Sequence, residues 1–272
     1  MLGTGVTLAV SGGAVVEYLT RRGRMAERQA RENRRQYERQ RVIAGELQRA
    51  LLPSLPEFDG VEVATRYYTG VTGTDVGGDW FDVVQTDENR FVMVVGDVSG
   101  RGLKAASTMA SLRFPLRANL LNGDPVEQAL AKLSPLLDVD SDQQFATVLA
   151  AELDLPAGRM TVVSAGHLLP LVVTDGGAEF VSGRVDTPIG VAPSVRPTPI
   201  TVDLPDSATV LFFSDGLVER VGELLDVGLE RLRQAASRPA ANVGQLVDAV
   251  SSDLVPGEAH DDTIILGVRW LN

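Results

Sequence analysis

The sequence predicts an α+β fold made of antiparallel strands with helices packed against them. Strand-like runs rich in β-branched and aromatic residues lie at 61–68, 91–98, 145–153, 160–164, 169–174, 209–213 and 263–268. Helical patterns lie at 102–121, 125–137, 227–236 and 243–254. Strands and helices are grouped along the chain instead of alternating one by one. This order is typical of an α+β sandwich and not of repeated βαβ units.

Composition excludes several kinds of chemistry. The 272-residue chain has no cysteine, which excludes cysteine nucleophiles, thiolate zinc sites and disulfides. Its two histidines, His167 and His260, are far apart in sequence, so a histidine-rich metal site is not expected. The length fits one large domain with an extension.

The first twenty residues form an apolar segment. Apart from Glu17, residues 2–19 carry no charge, and three arginines follow within residues 21–24. Because membrane spans need about 17–25 apolar residues, segment 1–20 is a short candidate for a membrane anchor. The following arginines would then hold the catalytic domain at the inner, cytoplasmic face. A glycine-rich disordered tail is the alternative.

Residues 21–52 are predicted to form a basic linker helix that ends before Pro53. Strong helix formers dominate it, and residues 21–50 hold ten arginines against four glutamates. Three interpretations stay open: a solvated spacer, a homodimer contact through residues 25–51 with Leu47 and Leu51 in its seam, and a basic face for an anionic membrane surface. The remaining chain is acidic, and the formal net charge of the whole protein is −11. This charge argues against nucleic acid as a partner.

Four aspartates stand at the ends of apolar runs or in glycine-flanked turns. They are Asp79, Asp97, Asp215 and Asp261, and we call them the edge aspartates. A carboxylate at the end of a buried strand is costly unless a positive charge meets it. Oxygen ligands are those that hard divalent cations prefer, so the pattern predicts metal-assisted chemistry.

The motifs around these aspartates resemble the SpoIIE/RsbU-type serine phosphatases, the bacterial branch of the metal-dependent protein phosphatase 2C superfamily. The matching segments follow the family's order and lie at 47–53, 76–82, 96–102, 164–167, 187–190, 213–219 and 261–262. The resemblance covers about residues 46–270. It implies a phosphatase domain over 53–272, folded as a four-layer α/β/β/α sandwich with a dinuclear metal site at one edge and preceded by the N-terminal helix.

The resemblance also implies roles for single residues. Asp97 is the expected catalytic residue and would bridge two Mn²⁺ or Mg²⁺ ions, while the Val98 carbonyl would bind one of them. Asp79 would serve the second ion, and Asp215 and Asp261 the first. Two ions roughly 3.5–4 Å apart can activate water and stabilise in-line attack on a phosphoryl group.

Several assignments keep an alternative. Asp262 is the alternative to Asp261 as a metal ligand. We expect Asp82 to be a supporting or structural carboxylate, with a ligand role as the alternative. Arg101 stands where the family commonly has histidine, and would either contact substrate phosphate or cap the acidic site. His167 is either a proton donor or, as we expect, a structural histidine.

The resulting functional hypothesis is a Mn²⁺/Mg²⁺-dependent protein serine/threonine phosphatase. Family resemblance suggests a phosphorylated anti-sigma-factor antagonist as the substrate, in a partner-switching pathway. The alternative is a catalytically idle phosphatase fold that acts by binding. The presence of all four edge aspartates favours the enzyme, whereas Arg101 slightly favours the alternative.

Overall fold

The computed structural model describes residues 4–51, 53, 55, 58–70, 77–192, 196–205, 207–255 and 261–270. Side chains in the N-terminal helix are described at 13, 15–39, 42 and 43, so those of Leu47 and Leu51 lie outside the described part. Contacts divide the chain into Met1–Ile43 and Ala44–Asn272. This division falls earlier than the expected boundary at residues 52 and 53.

The N-terminal helix α1 spans Thr4–Leu51 without interruption. It includes residues 4–20 of the apolar segment and residues 21–51 of the predicted linker helix. Ion pairs one turn apart, Arg21–Glu17 at 2.6 Å and Arg34–Glu38 at 3.1 Å, support the exposed helix. Among the helices in the described ranges, none is both long and apolar enough to cross a membrane.

Two five-stranded sheets form the centre of the second unit. The first has the order β1-β10-β9-β6-β7 and the second β2-β3-β4-β5-β8, and the strand pairs described are antiparallel. The strands are β1 Val61–Tyr68, β2 Trp80–Asp87, β3 Arg90–Val98, β4 Ala146–Asp154, β5 Arg159–Ala165, β6 Leu171–Thr174, β7 Gly177–Phe180, β8 Ile200–Asp203, β9 Thr209–Phe213 and β10 Thr263–Trp270.

Helices cover the outer face of each sheet. They are α2 Leu103–Leu121, α3 Val126–Ala131, α4 Val139–Asp142, α5 Leu225–Ala236 and α6 Val243–Leu254, with 3₁₀ turns at Ser134–Leu136 and Asp215–Leu217. Helices α2 and α3 pack on the second sheet, and α5 and α6 on the first. Three apolar cores result, one under each helix layer and one between the sheets. The predicted α+β class and four-layer sandwich are confirmed.

Burial on both faces explains why the central strands read as continuous apolar runs. In β3, Phe91, Met93 and Val95 face the core between the sheets. Val92 and Val94 face the core under α2 and α3. A strand between two apolar layers has no polar face, so its sequence loses the usual alternation.

Three strands were not predicted from the sequence. Strand β2 contains Asp82, which interrupts its apolar pattern, and β7 and β8 are four-residue strands with exposed polar positions. The helix expected over 125–137 is also shorter, because α3 ends at Ala131 and a 3₁₀ turn containing Pro135 follows. Proline lacks the N–H that an α-helix interior requires.

Candidate metal centre

Strand pairing brings the edge aspartates to one edge of the two sheets. Trp80 at the start of β2 pairs with Gly96 near the end of β3, which places Asp79 beside Asp97. In the other sheet, Ile265 of β10 pairs with Phe213 at the end of β9. Asp215 lies two residues after β9 and Asp261 two residues before β10, so these two also share an end of their sheet.

Main-chain contacts at this edge leave no space for side chains at two glycines. A Cβ on Gly78 would lie 2.1 Å from the Val98 carbonyl oxygen and 2.9 Å from Asp97 Oδ1. A Cβ on Gly216 would lie 2.1 Å from the Asp262 carbonyl oxygen. Glycine is therefore required at both positions for the loops to approach each other.

Asp79 and Asp97 form a coupled carboxylate pair. Asp79 is buried near Asp97 and Ser214. Burial, followed by the charge of Asp97, raises the pKa of Asp79 well above its usual range. Burial also raises the pKa of Asp97, although the hydrogen bond from Asp79 acts in the opposite direction. Each carboxylate therefore disfavours the charge of the other, and a bound cation would relieve this repulsion.

Asp215 belongs to the same electrostatic network. Burial is the largest cause that raises its pKa to about 6, and the charges of Asp97, Glu219 and Asp261 add to it. Glu219 was not assigned a role from the sequence. Its backbone N–H donates to the Asp215 carbonyl at 2.7 Å. Glu219 comes four residues after Asp215, and this spacing could have indicated from the sequence that the two lie close together.

Asp261 is the most exposed of the edge aspartates. Its carboxylate lies beside Arg101, whose Nη2 donates to Oδ1 and Oδ2 at 3.1 Å each. The structure therefore brings Arg101 to the site, on a carboxylate that the resemblance assigns to a metal. Asp261 Oδ1 also accepts a hydrogen bond from the Asp262 backbone N–H at 2.9 Å.

Asp262 binds β1 and the residues that follow it. Its Oδ2 accepts from the Tyr67 hydroxyl at 2.7 Å, and its Oδ1 from the Gly70 N–H at 2.9 Å. Burial and then the charge of Asp262 raise the pKa of Tyr67. Tyr67 was missed from the sequence because nothing within β1 distinguishes it from the other aromatic strand residues. The choice between Asp261 and Asp262 as a metal ligand stays a prediction, because both carboxylates accept hydrogen bonds here.

Asp82 lies on the helix-facing side of β2 and not with the edge aspartates. Its Oδ2 is 3.2 Å from Arg113 Nε, and its Oδ1 is 2.6 Å from Arg117 Nη1. Burial raises the pKa of Asp82, and the two arginines oppose that shift. The pair ties β2 to α2, so Asp82 has a structural partner of its own.

His167 is a buried histidine with two hydrogen-bond partners. Its Nε2 donates to the Phe213 carbonyl at 3.0 Å, and its Nδ1 lies 2.9 Å from the Thr147 hydroxyl. Burial lowers the pKa of His167 to about 4, so the ring is neutral near pH 7. The ring therefore joins the ends of β4 and β9, in agreement with the structural role we expected for it.

The donors at this edge suit hard divalent cations. They are carboxylate and carbonyl oxygens, and Asp79 Oδ2 is a buried oxygen with no hydrogen-bond partner among the described residues. The described side chains do not, as they stand, form a group of three or more Asp, Glu or His that could hold an ion. The ligand set thus remains a prediction, although the chemistry of the donors fits.

Comparison with known proteins places the chain in a family. The family described as Stage II sporulation protein E (SpoIIE) matches residues 87–271. Phosphoserine phosphatase RsbP of Bacillus subtilis (strain 168) is 23% identical over 186 residues, covering 66% of this chain and 45% of RsbP. The chain therefore spans less than half the length of that curated relative.

Two solved structures share the fold. The RsbU and RsbW domains of a Mycobacterium tuberculosis protein have a TM-score of 0.69 and 30% identity, covering 80% of this chain and 62% of that one. The PP2C phosphatase domain of SpoIIE from Bacillus subtilis, solved with a fragment of its regulatory domain, has a TM-score of 0.68 and 16% identity, covering 79% and 64%. The chain belongs to the family described as Stage II sporulation protein E (SpoIIE).

Proposed function

We propose that this chain is a Mn²⁺- or Mg²⁺-dependent phosphatase that hydrolyses phosphoserine or phosphothreonine on a regulatory protein. One observation carries the proposal. The edge aspartates lie together at one edge of the sandwich, and burial raises the pKa of Asp79, Asp97 and Asp215. Acidic groups held together in spite of burial and mutual repulsion are typical of functional sites, and a bound cation would offset that repulsion.

The edge aspartates have distinct expected roles. Asp97 interacts with Asp79 and with the charges of Asp215 and Asp261, which fits a carboxylate that two ions would share. The Val98 carbonyl, held against Gly78, would add an oxygen from the main chain. Two bound divalent ions would supply activation of water and neutralisation of phosphoryl charge.

The substrate phosphate would be bound beside these residues. Arg101 lies at the exposed side of the edge, two residues before α2 begins at Leu103. A helix N-terminus favours anions, and an arginine fork can bind two phosphate oxygens at once. Both features support phosphate recognition on the Arg101 side.

The substrate class follows from the relatives. RsbP is named as a phosphoserine phosphatase, and the Mycobacterium tuberculosis protein joins an RsbU domain to an RsbW domain. We extend this to a phosphorylated anti-sigma-factor antagonist as the partner. Residues 25–51 remain our candidate for a homodimer contact, and the arginine-rich face of α1 remains our candidate for contact with an anionic membrane surface.

Hydrolysis of p-nitrophenyl phosphate tests the proposal. The purified chain should release p-nitrophenol with Mn²⁺ and stop when EDTA is added, because the chemistry requires the ions. Asp97→Asn is the matched inactive variant, since it removes one charge and keeps the shape. Absence of turnover at saturating Mn²⁺, with the fold intact, would favour the catalytically idle binding module instead.

A further inference from the structure

Arg101 and Asp261 form a bonded pair at the mouth of the candidate metal centre. Arg101 Nη2 donates to both carboxylate oxygens of Asp261 at 3.1 Å, so each oxygen has a hydrogen-bond donor. The side chains are 41% and 59% exposed. Arg101 also lies between Gly100 and Gly102, both with positive φ, so the arginine is held in a tight turn four residues after Asp97.

We propose that Arg101 is an exchangeable counter-ion: it neutralises Asp261 before metal binding, opposes entry of the divalent ion, and moves to the substrate phosphate once the ion is bound. This inference rests on the proposed metal centre. It goes beyond that proposal by assigning one arginine two successive partners and by predicting effects of opposite sign on metal and phosphate binding.

The first step is a competition for one carboxylate. Asp261 cannot offer the same oxygens to an arginine and to a divalent ion at the same time. A fixed positive charge beside the site also repels an incoming cation.

The second step depends on how weak the pair is. Exposed ion pairs contribute little free energy, so Asp261 can be released when a divalent ion arrives. A guanidinium matches phosphate as well as carboxylate geometry, because both present two oxygens to its fork. The arginine therefore exchanges one anionic partner for another.

Binding of metal and phosphate should consequently be coupled. In the wild type, phosphate captures the guanidinium that otherwise competes for Asp261, so phosphate should raise the affinity for Mn²⁺. Coupling between two ligands is reciprocal, so Mn²⁺ should raise the affinity for phosphate by the same factor. Removing the charge of Arg101 should reduce this factor.

Calorimetric titration of the metal-free full chain with Mn²⁺ tests the exchange. Arg101→Gln should bind Mn²⁺ about three- to fivefold more tightly than wild type at low ionic strength, the scale of an exposed ion pair. The difference should shrink at high salt. Inorganic phosphate should bind the Mn²⁺-loaded variant at least about threefold more weakly, by the same reasoning.

Control variants separate charge from general surface effects. Arg101→Lys keeps the charge, so its Mn²⁺ affinity should stay within about twofold of wild type. Arg159→Gln removes an arginine whose carboxylate partner, Asp203, is 3.1 Å away, at the opposite end of the sheet from the edge aspartates. It should leave both affinities unchanged. Arg101→Ala repeats the test if the glutamine variant does not fold.

The outcomes distinguish this inference from the proposed function. If wild type binds Mn²⁺, Asp97→Asn loses it and Arg101→Gln binds Mn²⁺ no more tightly, the exchange is wrong and the metal centre stands. If wild type binds no Mn²⁺, or Asp97→Asn binds it equally well, the metal centre itself is wrong and the exchange with it. Tighter Mn²⁺ binding together with weaker phosphate binding supports the exchange.

Discussion

Gly78 lies directly against the main chain of Val98. The Val98 N–H donates to the Gly78 carbonyl at 3.2 Å, and a Cβ on Gly78 would fall 2.1 Å from the Val98 carbonyl oxygen. The loop that carries Asp79 is thus seated on the end of β3, next to Asp97. This contact sets the spacing between the two carboxylates, and hence the geometry of the candidate metal centre.

Gly78→Ala should damage the site more than the fold. The added methyl group must push the loop away from Val98, at a cost of about 1–3 kcal/mol in the free energy of unfolding. We expect Mn²⁺ affinity to fall as Asp79 separates from Asp97, measured by calorimetry. Gly23→Ala is the control, since nothing lies within 4 Å of a Cβ there, and it should be neutral or slightly stabilising. Unchanged Mn²⁺ affinity in Gly78→Ala would contradict the assignment.

Asp97→Asn should abolish Mn²⁺-dependent turnover and leave the domain folded. A carboxylate shared by two ions contributes charge to both, so its loss should exceed the roughly 10²-fold effect of removing a supporting group. The metal-free variant should also be at least as stable as wild type, because a buried charge that repels Asp79 is gone. Activity within tenfold of wild type would rule out the bridging role.

Asp82→Asn should lower the stability of the fold and leave Mn²⁺ binding nearly unchanged, the opposite of Asp97→Asn. It removes the carboxylate charge that faces the buried Arg113, and breaking a buried ion pair costs about 3–5 kcal/mol of stability. Mn²⁺ affinity should stay close to that of wild type, since Asp82 faces α2. Chemical denaturation and calorimetry measure the two effects. A loss of Mn²⁺ binding without loss of stability would place Asp82 in the metal centre after all.

His167 predicts a pH dependence of stability. Its pKa is about 4 in the folded protein and near 6.5 when unfolded, so the unfolded chain binds the proton more readily between these values. Stability from this group is therefore complete above pH 6.5 and is lost as pH falls towards 4, by about 3 kcal/mol in total.

The measurement compares wild type with His167→Gln by denaturant unfolding from pH 7 to pH 4. Raised pKa values at Asp79, Asp97 and Asp215 act in the other direction, because a folded state that holds protons more tightly gains stability as pH falls. The difference between the two proteins removes this shared contribution. The loss of stability on acidification should be smaller in the variant, and equal losses would contradict the neutral buried ring.

Sequence reasoning located the edge aspartates because each stands in a short local motif beside an apolar run. It also found β3 and β9, whose residues are apolar on both faces. It could not find the Tyr67–Asp262 contact, which joins positions 195 apart, since such a pair leaves no local pattern. The pairing of Asp82 with Arg113 and Arg117 was missed for the same reason. Strand β8 depends on its neighbour β5 and not on its own four residues.

Helix α1 shows a different limit. The change from apolar to basic composition near residue 20 lies inside one helix, which continues from Thr4 to Leu51. An isolated glycine such as Gly23 costs only about 1 kcal/mol in a helix. Over a long run of helix formers that cost does not end the element, so a change in composition does not by itself indicate where a helix ends.

Release of inorganic phosphate from a serine-phosphorylated regulatory protein, measured while Mn²⁺ is titrated, tests the central claim most directly. A phosphorylated anti-sigma-factor antagonist is the substrate to use, with wild type and Asp97→Asn compared at equal concentration. The account predicts phosphate release that rises with Mn²⁺ to saturation in wild type and is at least about 10²-fold slower in the variant. Release that is independent of Mn²⁺, or equal in both proteins, would contradict it.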